Sequence, residues 1–279
     1  MNSNIVNAVK VAVATGGAGV LGSSEVGAHQ ALIDVGYVHA DLSGTSAGSI
    51  VSGVIACGKT PGECYDIVMS ADYKKLIDYN VFGFLLGIHG SIANPKNVQA
   101  FLKEITDNMF MGEVKIPLKT ITSDTWEQKI HCWSSHMHPD MHVWEAIYSS
   151  MAIPFIFSPY MDRYVDGGVL ANLPVDYLDT QYPRIGFNVH EQTQTGKLDG
   201  RFSEASRLLS MMLSSNVKTI EVWAKATNVP IVKLPAGNLG FLDRGMSEEH
   251  KKDLYQWGYN AVSEFLSAKK LRVTKAANI

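Results

Sequence analysis

Two glycine-rich turns follow one another closely near the start of the chain, and they limit its fold more than any other feature. The first is Gly17-Ala18-Gly19-Val20-Leu21-Gly22 and the second is Gly44-Thr45-Ser46-Ala47-Gly48. Each ends a short apolar run of strand character and opens a run of helical character. Two parallel strands cannot be joined by a tight hairpin and need a crossover, which is usually a helix. Strand, turn, helix, strand, turn, helix is therefore the rhythm of an α/β sandwich with a mainly parallel sheet.

The rest of the chain extends that rhythm. Val9 to Ala14 reads as a buried strand, Ser24 to Val35 as a helix stopped at Gly36, and Val38 to Leu42 as a second strand. Ala47 to Ala56 is small and apolar enough for a buried helix. Pro61 and Pro95 are placed to start helices. Leu118 to Asp124 and Lys129 to Ser134 are two strands joined by a polar turn, and Val143 to Met151 is a short helix ended before Pro154. Phe155 to Val165 reads as extended and leads into a third turn, Asp166-Gly167-Gly168. Ile185 to Val189 and Val229 to Leu234 are further strands. Glu204 to Ala226 is a long helix, and a last helix starts at Ser247. The Met211-Met212 pair is assigned to core packing. With 279 residues the chain is near the upper size of one hydrophobic core, so residues 1–279 are read as one domain. Its motif-bearing core is about 9–190, and its C-terminal strand and helices are 200–270.

Composition removes several function classes. A net charge of -3 gives no basic field for nucleic acid. Three cysteines, Cys57, Cys64 and Cys132, without CxxC spacing argue for a reducing compartment and against a disulfide or zinc framework. No stretch has the length of a transmembrane helix, and the first residues lack the pattern of a cleaved secretory signal. The expected location is cytoplasmic or peripheral to a membrane.

The chemistry lies in the turns. A G-x-G-x-x-G turn alone also fits dinucleotide binding, and Asp41 sits near the position of a ribose contact. The second turn is more specific. G-x-S-x-G between a strand and a helix is the nucleophile elbow, where flanking glycines let the backbone turn sharply and push the Ser46 hydroxyl outward. The helix that follows sets its dipole beneath a developing negative charge. An esterase elbow usually works with a histidine base. None of the nine histidines falls in an obvious catalytic loop late in the chain, which points to a two-residue arrangement.

Together these residues resemble the patatin-like phospholipase family. That family carries G-x-G-x-x-G, then G-x-S-x-G, then D-G-[GA], matched here by Gly17 to Gly22, Gly44 to Gly48 and Asp166 to Gly168. The likeness continues through Trp144 to Pro154, Phe157-Ser158-Pro159, Tyr164-Val165, Asn172 and Pro174, and the last helix with Leu254 and Gly258. It implies a three-layer α/β/α sandwich and a lipid acyl hydrolase of phospholipase A type. Ser46 would be the nucleophile and Asp166 the activating base. Gly17, Ala18 and Gly19 would form the backbone oxyanion hole, with Gly22, Gly44, Gly48, Gly167 and Gly168 supporting the motifs. No cofactor or metal is expected, and the expected partner is lipid at a membrane surface. One departure stands out: the family usually has Arg or Lys where this chain has Leu21.

Three further readings follow from the residues. His131, His136, His138 and His142, with Cys132 and Asp140, are assigned to a polar loop rather than a metal site. Val81 to Ile92, apolar but with three glycines, is a candidate lid or lipid-facing surface. Two other functions remain open at this point: a nucleotide-binding oxidoreductase and a non-catalytic interaction module that keeps the fold.

Overall fold

The computed structural model describes residues 9–78, 93–190, 201–241, 243 and 245–276. The sheet has the order β4-β3-β2-β1-β6-β7, with β5 pairing β3 off that path. Its strands are β1 (Val9–Thr15), β2 (Tyr37–Thr45), β3 (Leu118–Asp124), β4 (Lys129–Ser134), β5 (Tyr164–Asp166), β6 (Arg184–His190) and β7 (Ile231–Pro235). The pairs β1–β2, β2–β3, β1–β6 and β6–β7 are parallel, whereas β4 and β5 run antiparallel to β3. The helices are α1 (Ser23–Asp34), α2 (Ala47–Ala56), α3 (Pro61–Ser70), α4 (Tyr73–Leu76), α5 (Pro95–Ile105), α6 (Val143–Ser150), α7 (Arg201–Ala226) and α8 (Glu248–Ala276).

The period of two along β1 makes the three layers visible. Val11 and Val13 point into one core with Val26, Ala28 and Leu32 of α1. Ala12 and Ala14 point into a separate core on the other face, with Leu173, Val175 and Ala224. Local chemistry sets the helix starts. Thr60 and Glu63 form a reciprocal capping box on α3, Asn94 caps α5 ahead of Pro95, and the Ser247 hydroxyl accepts from the His250 N–H at the start of α8.

The central sheet flanked by helices agrees with the sequence reading, and two local expectations change. Phe155 to Val165 is not extended: only Tyr164–Asp166 is strand. Positive φ at Phe155, Met161 and Asp162 folds the preceding stretch into turns. Met211 and Met212 are not core residues; they are 61% and 43% exposed. Among the described residues of α7, Val217 and Ala224, two turns apart, are the buried ones, and the methionines fall away from them around a helix of 3.6 residues per turn. The candidate lid, Val81 to Ile92, lies outside the described residues.

The pairing along β3 decides where the site can be. One edge of β3 carries β4. The other edge carries the end of β2 and then β5: Thr45 pairs with Ile121, and the next residue of β3, Thr122, pairs with Asp166. Because β2 is parallel to β3 and β5 antiparallel, the two strands run toward each other and meet at their C-terminal ends. Residues 45 and 166 therefore become neighbours along one edge, despite the long stretch of chain between them.

A buried polar chain supports the end of β1. His29, fully buried, bonds Thr15 Oγ1 through Nε2 at 3.0 Å and His39 Nε2 through Nδ1 at 2.9 Å, and Ser52 Oγ donates to Thr15 Oγ1 at 3.1 Å. Burial holds both imidazoles neutral, lowering His29 well below its usual range and His39 to about 4. The unfolded chain takes up these protons nearer pH 6.5, so the contribution to stability is present above that pH and lost as pH falls toward about 4. Thermal unfolding midpoints should fall across this window, and His39→Gln should flatten the fall. An unchanged pH slope in a folded His39→Gln protein would contradict this account.

Candidate active site

β2 ends at Thr45 and α2 begins at Ala47, which leaves Ser46 alone at the corner with φ 53° and ψ −125°. An L-residue is strained in that conformation, by about 1–3 kcal/mol, and several contacts hold it there. The Ser46 N–H donates to Ser150 Oγ at 2.9 Å, and Ser150 in turn donates to the Ile121 carbonyl. The Ser46 carbonyl accepts the Ser49 hydroxyl at 2.6 Å and the Ser49 N–H at 2.9 Å. The tight corner also requires glycines. A Cβ on Gly44 would lie 2.5 Å from the Gly48 carbonyl oxygen, and one on Gly48 would lie 2.3 Å from the carbonyl oxygens of Thr15 and Gly16.

Ser46 Oγ donates to Asp166 Oδ2 at 2.7 Å. The other carboxylate oxygen accepts the Gly168 N–H at 2.7 Å, which fixes the plane of the group. Gly168 itself is tied to α7, where Asn216 Nδ2 donates to the carbonyls of Gly168 and Val169. Gly167 packs so tightly on β3 that a Cβ would meet the Ile121 carbonyl oxygen at 2.2 Å. Asp166 is 3% exposed. Burial disfavours its charged form and raises its pKa to about 6, and the bonds from Ser46 and Gly168 oppose that rise.

The first glycine turn lies against this pair. Gly17 has no Cβ to strike Ser46 Cβ, which would be 3.2 Å away, and its N–H donates to the Asn172 carbonyl at 3.0 Å. Gly17 thus serves the turn through its missing side chain, while its amide is taken. The Val20 and Leu21 amides are also taken, by Phe241 and Ala18. Among the described residues, the N–H groups of Ala18 and Gly19 have no partner. Gly19 has φ +57°, and a Cβ there would collide with the Phe241 carbonyl. Gly22 differs from the other motif glycines: its φ is −55° and a Cβ would meet nothing closer than 3.8 Å.

A pocket of about 680 Å³, counting its open mouth, leads to Ser46. Ser46, Gly19 and Ala47 line it together with Tyr73, Phe101, Met151, Phe157 and Phe241. No charged side chain lines it among the described residues. Leu21 is not among the residues lining this pocket; it belongs to a core with Met246 and Leu254 and is 1% exposed. Position 21 in this chain is therefore a packing position.

The remaining candidates are engaged elsewhere. Both Asp41 oxygens accept Lys119 Nζ at 2.7 Å, and Oδ2 also accepts the Asp179 N–H, so this carboxylate is held by the fold. His131 packs among Trp133, His138 and Tyr164, while His142 stacks on Phe110 and bonds the Asn108 carbonyl. Sequence reasoning gave no role to Ser150 or to the pocket walls. Their relation to Ser46 comes from tertiary packing, with no cue in spacing.

A sequence model of the patatin-like phospholipase family matches residues 13–179. An uncharacterised protein of Acanthamoeba polyphaga mimivirus is 22% identical over 274 residues, covering 90% of this chain and 92% of that one. A probable lipid hydrolase of Invertebrate iridescent virus 6 is 26% identical over 206 residues, covering 68% of this chain and 66% of that one. Among solved structures, VipD from Legionella pneumophila superposes with a TM-score of 0.61 at 13% identity, over 93% of this chain and 67% of that one.

The strained corner makes a stability prediction. Ala normally stabilises a protein relative to Gly, but at φ 53°, ψ −125° the order should reverse. Ser46→Gly should be more stable than Ser46→Ala by about 1–3 kcal/mol in denaturant unfolding. The usual order, Ala above Gly, would mean that the corner relaxes once the hydroxyl is gone.

Proposed function

Because the chain belongs to the patatin-like phospholipase family, we propose that it hydrolyses carboxylic esters of lipids, as a phospholipase of A type, through Ser46 and Asp166. The observation that carries this reading is the 2.7 Å hydrogen bond from Ser46 Oγ to Asp166 Oδ2, with Ser46 in the wall of an apolar pocket. The pocket chemistry suits an acyl chain. With no charged side chain along it among the described residues, the pocket favours attack on the acyl ester over the phosphodiester.

In the proposed reaction Asp166 accepts the Ser46 proton as Oγ attacks the ester carbonyl. The oxyanion that forms takes hydrogen bonds from the N–H groups of Ala18 and Gly19, which have no partner among the described residues. Collapse expels the alcohol, which receives the proton from Asp166, and leaves Ser46 acylated. Asp166 then takes a proton from water as the water attacks the acyl carbon, and returns it to Ser46 Oγ as the acyl–Oγ bond breaks and the fatty acid leaves. A carboxylate with a pKa of about 6 suits both directions of transfer near neutral pH. The substrate is drawn from a lipid surface, and the similarity to the probable lipid hydrolase of the iridescent virus supports that class.

Ser46→Ala should abolish turnover of a chromogenic short-chain ester, and Asp166→Asn should reduce it by about 10² or more. Turnover should persist after exhaustive chelation. A folded Asp166→Asn protein with wild-type turnover, or a single histidine variant as inactive as Ser46→Ala, would replace this dyad by another arrangement.

A further inference from the structure

The segment after the Asp166 turn crosses beneath the ends of β1 and β2, and at its centre is Asn172, 5% exposed. Ser43 Oγ donates to the Pro174 carbonyl at 2.8 Å and Thr45 Oγ1 to the Ala171 carbonyl at 3.0 Å, so the backbone on both sides of Asn172 is fixed to β2. Asn172 holds Gly17 with two groups. Its carbonyl accepts the Gly17 N–H at 3.0 Å, and its Nδ2 donates a long bond to the Gly17 carbonyl at 3.5 Å. Its Oδ1 is buried without a hydrogen-bond partner among the described residues. It lies where a side chain on Gly17 would be, 2.3 Å from the position of that missing Cβ, with Ser46 Cβ 3.2 Å from the same point.

A buried amide with one unpaired oxygen costs more than a leucine of similar volume. The cost has an explanation in peptide geometry. In a trans peptide the C=O and the next N–H point in opposite directions. A donor that draws the Gly17 carbonyl to one side therefore turns the Ala18 N–H to the other, and that N–H has no partner among the described residues. We propose that Asn172 is a positioning residue that sets the direction of the Ala18 N–H, and with it one donor to the oxyanion. The inference deepens the acyl-ester reading and rests on it. It also accounts for Gly17, since any side chain there would strike the amide that orients the turn.

Asn172→Leu and Asn172→Asp both remove the Nδ2 donor and keep the backbone carbonyl that binds the Gly17 N–H. In folded variants, kcat on a soluble short-chain ester should fall by about 10- to 100-fold with KM nearly unchanged, short of the about 10²–10³ lost on deleting an oxyanion donor outright. A trifluoromethyl ketone, which adds to serine and places an oxyanion in the hole, should bind more weakly by the same factor as kcat/KM. An unreactive ether analogue of the ester should bind as it does to wild type. Wild-type kcat and ketone affinity in a folded variant would overturn the proposal. So would equal losses for ketone and ether, because a distorted pocket affects both. If Asn172→Leu does not fold, Asn172→Asp carries the same comparison. Wild-type turnover by Ser46→Ala would instead remove the acyl-ester reading, and the role of Asn172 with it.

Discussion

The Ser46–Asp166 hydrogen bond depends on a single feature of strand pairing. A parallel strand and an antiparallel strand share one edge of β3 and stop where they meet. Strand ends are positioned by ladder hydrogen bonds, so the hydroxyl and the carboxylate are set by backbone rather than by long side chains. Both residues belong to the short side-chain types, and each reaches the other at 2.7 Å. A carboxylate on a flexible loop would lose orientation, whereas that of Asp166 is held by the Gly168 N–H on its second oxygen.

The same corner concentrates unfavourable terms. Ser46 has a strained backbone, Asp166 is a buried carboxyl raised to about 6, and the Asn172 Oδ1 has no partner among the described residues. Each would be relieved by a simple substitution, and each lies within one small region where β1, β2 and β5 end. The surrounding scaffold offsets these costs with close backbone packing at Gly44, Gly48 and Gly167 and with two separate apolar layers on the faces of β1. This is the expected relation between a stable scaffold and a site that is not at its stability optimum.

Much of this order is visible in the residues themselves. Val9 to Ala14, Ala47 to Ala56 and Leu118 to Asp124 declare their structure through β-branched runs, small apolar residues and flanking glycines, and they fold as read. The parts not legible depend on distance in space. A three-residue strand such as Tyr164–Asp166 carries too little periodicity to announce itself, and its pairing partner is a matter of topology. Phe155 and Met161 take positive φ although such residues rarely do, so their type did not mark those turns; Asp162 is a turn former, but one residue is a weak cue. Met211 and Met212 are apolar yet outward, because hydrophobicity alone does not say which side of α7 meets the sheet. Gly17 and Gly22 look alike in the motif; only packing shows that one is needed for close approach and the other has room to spare.

The most direct test is the rate at which a fluorophosphonate captures Ser46 as a function of pH, followed by intact mass and peptide mapping. The hydroxyl needs an ionised Asp166 to accept its proton, so capture should be slow at pH 4 to 5. It should rise with a midpoint near the Asp166 value of about 6 and level off above it. The rise should vanish in Asp166→Asn. Adduct on a residue other than Ser46, or an identical pH profile in folded Asp166→Asn, would contradict the account.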